Sequence, residues 1–211
     1  MILDAGDALA VHTTPEGKKW VIIVPFTLPG ERALVRVHTN ARLHSTADFV
    51  RLVSSPSSPH ITASGVSIQR NDALVGCKYF GECAGCQYQM IPYTTQKEIK
   101  RDVVLKAYRN FSGLTVDDTG RIDNGSSGSV EVGETIGSPL EYGYRTKITP
   151  HFQLPRKGKE DEELTVGFNM KGRKNWVLDI EVCPSFLLRT MRLCAHSRLL
   201  VGLPNSNECD S

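Results

Sequence analysis

The sequence predicts a mostly β chain with one main helix: a small OB-like barrel, then a cysteine loop and the helix, then a β-rich central domain. Three observations predict it. Short apolar or alternating runs recur before residue 54 and again between residues 144 and 180, as half-buried strands require. A single intervening run, Pro92 to Gly113, repeats its apolar residues every fourth position, the spacing of one helix face. Glycine, proline and serine punctuate the joins.

Taken in order, Trp20 to Val24 is a compact apolar strand, and Leu28-Pro29-Gly30-Glu31 is a turn. In Ala33 to His38 the residues Ala33, Val35 and Val37 share one face while Leu34, Arg36 and His38 share the other. A further strand is expected over Asp48 to Val53. Strands of this length fit an OB-like barrel over residues 1–56, with most of its first strand expected to be missing. By pattern alone such a barrel serves RNA binding or scaffolding equally well. His38 reads as a surface residue, since no second ligand stands at a useful interval.

Ser54 to Pro59 is a linker, followed by the cysteine loop and helix within residues 57–113. Pro92 and the pattern Thr95-Gln96-Lys97-Glu98 predict the helix start through a capping box. Ile99, Val103, Ala107 and Phe111 form the expected buried stripe, Arg101, Lys106 and Arg109 project from the opposite side, and Ser112-Gly113 closes the helix. Residues 114–184 are expected to form the central domain: a polar, glycine-rich surface loop around Gly125, a strand at Tyr144 to Thr149, a solvated acidic run from Glu160 to Glu163, and a hairpin turning at Lys171-Gly172-Arg173. Its return strand, Trp176 to Ile180, leads to Cys183.

Three cysteines, Cys77, Cys83 and Cys86, fall inside ten residues, with Gly81 and Gly85 allowing the backbone to turn tightly around them. Thiolates so crowded converge on a soft metal centre, and Cys183 is the natural fourth ligand. A zinc ribbon normally offers two short pairs; three cysteines plus one distant is a pattern of iron–sulfur sites, so a cluster is favoured over zinc. A disulfide scaffold is disfavoured because Met1-Ile2-Leu3-Asp4 has neither a basic start nor an apolar run. The expected setting is an intracellular, reducing compartment, whether cytoplasmic, nuclear or mitochondrial. No apolar stretch reaches membrane-spanning length. The formal charge is only +2, yet between Cys77 and Arg109 six basic residues face three acidic ones, a bias that suits a polyanionic partner and equally a solvated helix face.

Cys77-x5-Cys83-Ala-Gly-Cys86-Gln-Tyr-Gln89, followed by Tyr93-x2-Gln96 and a lysine-rich helix, resembles the iron–sulfur signature of the RNA uracil-5-methyltransferase family, especially its fungal tRNA members. Gly6-Asp7-Ala8-Leu9-Ala10, Val24 to Glu31, Tyr142 to Lys147, Gly167-Phe168 and Asp179-Ile180-x2-Cys183-Pro184 resemble further landmarks in the same order. The resemblance implies a TRAM domain for the barrel, a 4Fe-4S cluster on Cys77, Cys83, Cys86 and Cys183, and RNA, specifically tRNA, as partner. It also implies methyl transfer from S-adenosylmethionine to carbon 5 of a uridine, through thiolate addition at carbon 6 and loss of the carbon 5 proton. Arg101, Lys106, Arg109, Arg145 and Lys147 are the candidate RNA contacts.

No strand, Gly-rich turn and acidic residue occur in succession, so the Rossmann-type methyltransferase domain is expected to be absent and no residue here is a candidate nucleophile, base or S-adenosylmethionine ligand. Cys194 and Cys209 stand outside the family's catalytic motif. Past Pro184 the resemblance stops, and residues 185–211 are expected to be a shifted reading frame or retained intron.

Overall fold

Strands form early in the chain because β-branched and other apolar residues recur at strand spacing, and two turns set where they reverse. In a computed structural model, which describes residues 6–62, 65–117, 119–123, 128–154 and 165–186, β1 (Ala8–Thr13) and β2 (Lys19–Val24) pair antiparallel from Ala8↔Val24 to Thr13↔Lys19. β3 (Arg32–Asn40) and β4 (His44–Ser54) form a second, longer hairpin. β2 and β4 then pair in parallel, giving the order β1-β2-β4-β3. This corrects the barrel expectation. β1 and β3 lie on opposite edges, so the four strands make an open sheet rather than a closed wall. The last strand also starts four residues earlier than Asp48, because Ser45 lies buried under Trp20, whose indole Nε1 donates to it at 2.8 Å.

Beyond β2 the chain turns inward at Phe26, a buried non-glycine residue with φ of 59°. Arg70 holds that turn: its guanidinium donates to the Phe26 carbonyl at 2.6 Å and to Glu31 at 2.6 and 3.1 Å. The Glu31 side chain is 1% exposed, and it also accepts the Leu28 amide. Phe26 then meets Phe80 edge to face at 5.2 Å. Leu28 joins Ile68, Met90, Ile91 and Ile99 in one core, so the sheet's exit, the cysteine loop and the helix share packing.

One short pair, β5 (His60–Ile61) with β6 (Ser67–Ile68), leads to a 3-10 turn over Asp72–Leu74 and then to the helix, α1 (Tyr93–Phe111). α1 begins two residues before Thr95, with Pro92 at its N-cap and no side-chain cap. The capping box is therefore not formed; instead the Gln96 side chain donates back to the carbonyls of Tyr88 and Ile91. The buried stripe is also corrected to Ile99, Asp102 and Leu105, with Phe111 87% exposed. Steps of four residues drift around a helix by about 40° each, so the expected stripe leaves the core within three steps. The helix ends as expected at Ser112, with Gly113 at φ of 70°.

What reads as a polar loop holds a small sheet of β7 (Thr115–Val116), β8 (Arg121–Asp123) and β9 (Ser129–Glu131), with Ile122 buried. Much of the expected Gly125 loop lies outside the described residues, as does the acidic run. Tyr144 to Thr149 is extended chain with one isolated bridge, Arg145 to Phe186, rather than a strand. β10 (His151–Gln153), β11 (Thr165–Met170) and β12 (Arg173–Asp179) complete the fold as an antiparallel sheet whose hairpin turns at Gly172, φ 79°. A side chain at Gly167 would strike the Leu178 carbonyl, which is why glycine stands in mid-strand. The hairpin reaches back to the first sheet through Arg173 to Asp48 at 3.0 Å and Lys171 to Asp7 at 2.9 Å. His38 joins them 3.7 Å from Asp48, as a surface partner. Among the described residues no helix is long and apolar enough to cross a membrane.

Candidate metal centre

The cysteine loop cannot form a ladder of its own, because its glycines and closely spaced turns leave single backbone groups to find partners elsewhere. The partners lie on the β11–β12 hairpin: the Ala84 amide donates to the Asn169 carbonyl at 3.0 Å, and the Lys171 amide to the Glu82 carbonyl at 2.8 Å. Gly81, at φ of 97°, permits the turn between them. At its other end β12 runs into Ile180, which is 2% exposed, and the Tyr79 hydroxyl accepts the Glu181 amide at 3.0 Å. Lys78 pairs with Glu181 beside it. A third segment closes the junction, with the Gly143 amide donating to the Pro184 carbonyl at 2.9 Å and the Arg145 amide to the Ser185 carbonyl at 3.0 Å.

Cys77, Cys83, Cys86 and Cys183 all face one cavity of about 100 Å³, walled on its apolar side by Phe80, Ile148, Phe168 and Ile180. All four are free thiols and half-buried. Burial pushes the Cys83 thiol up to about 11, with Cys86, Cys77 and Cys183 adding to the rise and the Gly85 amide, 3.3 Å from its sulfur, opposing it. Burial likewise raises Cys183, and Cys86 and Cys77 add to that. Tyr142 is raised by burial and by the same two cysteines, while its hydroxyl accepts the Gly76 amide at 3.3 Å. These thiols sit near enough to feel one another's charge, and a metal would bind them only by displacing protons.

Among the described residues no three His, Cys, Asp or Glu side chains are drawn together tightly enough to hold a metal ion. A single zinc ion holds thiolate sulfurs about 4 Å apart, whereas a core with its own irons and sulfides keeps its four ligands spread around it. Four free thiols lining one cavity are a donor set that either kind of group could use.

No family model matches the chain. It is similar to the tRNA (uracil(54)-C(5))-methyltransferase of Schizosaccharomyces pombe, 41% identical over 166 residues, which is 79% of this chain and 27% of the relative. The Saccharomyces cerevisiae protein of the same name is 32% identical over 200 residues, 86% of this chain and 28% of the relative. A 23S rRNA (uracil(1939)-C(5))-methyltransferase from Photorhabdus laumondii is 29% identical over 204 residues, 92% of this chain and 38% of the relative.

The chain belongs to the RNA uracil-5-methyltransferase family. It spans about a quarter of the length of the two yeast relatives.

The candidate RNA contacts of this family member fall into two groups. Arg101 lies against the small sheet, not opposite it, donating to the carbonyls of Val132, Gly133 and Thr119 at 2.9, 3.2 and 2.6 Å. Arg109 donates to the Asp117 carbonyl and Lys106 pairs with Asp102 at 2.6 Å. Arg101 and Arg109 fasten α1 to the segment that follows it, while Lys106 is held by a partner on the helix itself. Arg145 and Lys147 are exposed beside the cavity, where the Arg145 guanidinium donates to the Lys147 carbonyl at 3.1 Å. Sequence reasoning missed Tyr79 and the position of Tyr142, whose hydroxyls fasten the loop; only the second stood inside a recognisable motif.

Proposed function

We propose that this chain is the RNA-binding, 4Fe-4S-carrying part of an S-adenosylmethionine-dependent tRNA (uracil-C5) methyltransferase. One observation carries the reading: four cysteines from two regions nearly a hundred residues apart line a single cavity in a chain of this family. Cys77, Cys83, Cys86 and Cys183 would hold the cluster, which supplies cross-linking of two chain regions, since methyl transfer to a uridine involves no net electron transfer. Phe80, Ile148, Phe168 and Ile180 exclude water from it.

The open sheet within residues 1–56 serves as the TRAM module, residues 57–113 carry the loop and helix, and residues 114–184 supply the second half of the cluster's surround. No residue here is assigned to the methyl-transfer chemistry, so the chain on its own binds RNA without modifying it. S-adenosylmethionine, the nucleophile and the base belong to sequence of the family outside the stretch matched here.

Anaerobic purification tests the reading. The expected product is brown, absorbs near ~400 nm and carries about four irons and four sulfides per chain. Cys183→Ser should lower that iron content, and RNA binding should weaken steeply with salt. A colourless protein loaded with zinc, or a Cys183→Ser protein with unaltered iron, overturns the cluster assignment.

A further inference from the structure

Beside the cysteine cavity, and bordering it at Cys86, runs a broader groove of about 770 Å³. The first two turns of α1 form one wall. There Tyr93, Lys97 and Lys100 stand at i, i+4 and i+7 and therefore share a face. Residues 135–144 form the opposite wall, tied to the helix by Thr135 donating to the Lys97 carbonyl at 2.8 Å and by the Ser138 amide donating to the Tyr93 hydroxyl at 2.6 Å.

The cations of α1 divide cleanly. Arg101, Lys106 and Arg109 are engaged by carbonyls or by Asp102, as described above. Lys97 and Lys100 instead border the groove, with the Lys97 ammonium 5.8 Å from the Tyr93 ring centre. Among the described residues Glu141 is the groove's one acidic lining residue. Along the same rim Ile136 is 96% exposed and Tyr144 51%, and Tyr144 is followed by the exposed Arg145 and Lys147. Flat apolar surface flanked by cations on both sides matches a strand whose bases are unstacked and whose phosphates run outside. A duplex keeps its bases inside and leaves that surface unused.

We infer that this groove takes a single-stranded stretch of RNA, with phosphates along Lys97 and Lys100 and a base stacked on Tyr144. The inference rests on the RNA-binding reading above and adds where the RNA lies and in which form.

Fluorescence anisotropy of the full chain, with a labelled single-stranded oligouridine and with a duplex RNA of equal length, is the test. The double variant Lys97→Ala, Lys100→Ala should bind the single strand at least about 10-fold more weakly, with the slope of log affinity against log salt reduced by about 1.4. Tyr144→Ala should lose about 10-fold on the single strand and little on the duplex, while Tyr144→Phe, which keeps the ring, should bind normally. Lys18→Ala, in the distant β1–β2 turn, should change nothing. Circular dichroism melts confirm that each variant is folded. RNA bound equally well by all variants overturns the groove and leaves the RNA-binding reading standing. A chain that binds neither RNA overturns both. Binding lost in Tyr144→Phe as well as Tyr144→Ala removes the stacked base.

Discussion

The first sheet and the cysteine junction are held by opposite means. In β1–β4 continuous ladders join neighbouring strands, such as the six-residue register from Ala8↔Val24 to Thr13↔Lys19, so losing one bond leaves its neighbours in place. At the junction separate segments meet through isolated contacts of one or two bonds each: Ala84 to Asn169 with Lys171 to Glu82, Glu181 to Tyr79, and Gly143 to Pro184 with Arg145 to Ser185. Between them lie four half-buried thiols and a cavity. The difference teaches where stability comes from. The sheet carries its own, whereas the junction has few bonds of its own to hold it.

The comparison breaks most visibly if the centre is emptied. Removal of the proposed cluster by chelation under oxidising conditions should cut hydrogen-exchange protection more than about 100-fold for amides of residues 77–89, 143–145 and 180–186, with β1–β4 little changed. Equal loss across both regions would show them to be one cooperative unit. Arg70→Ala comes next, because it removes the buried pair with Glu31 and the Phe26 clamp that join the regions. Chemical denaturation should show a loss of about 3–5 kcal/mol, the cost of leaving Glu31 charged and unpartnered.

Gly167→Ala sharpens the contrast on the junction's own hairpin, and a loss of about 3 kcal/mol is expected from forcing β11 away from the Leu178 carbonyl. Arg101→Ala should cost about 1.5 kcal/mol by unfastening the small sheet, leaving three carbonyls short of a donor. Lys78→Ala closes the series: its bridge to Glu181 is exposed, and no shift in the urea midpoint should be detectable.

Legibility followed the same division. Trp20 to Val24, Ala33 to His38 and the hairpin at Gly172 were readable because alternation and turn residues act within a few positions. The gathering of Cys77, Cys83, Cys86 and Cys183 was readable because thiols declare their chemistry at any spacing. The parallel pairing of β2 with β4 was not, since no local pattern says which edge a returning strand will take. Thr95 and Glu98 offered a capping box that Pro92 pre-empted by starting the helix earlier. Arg101 looked like a solvated cation, and only the fold shows three carbonyls waiting for it.

Cys183 follows Cys86 by nearly a hundred residues, and a ribosome adds about 5–20 residues each second. Three of the proposed ligands thus emerge some 5 to 20 s before the fourth, an interval of about that size in which an inserted core would hold an open corner. Completion of the proposed centre would therefore mark a point in translation, at which the nascent polypeptide has been read through to Cys183.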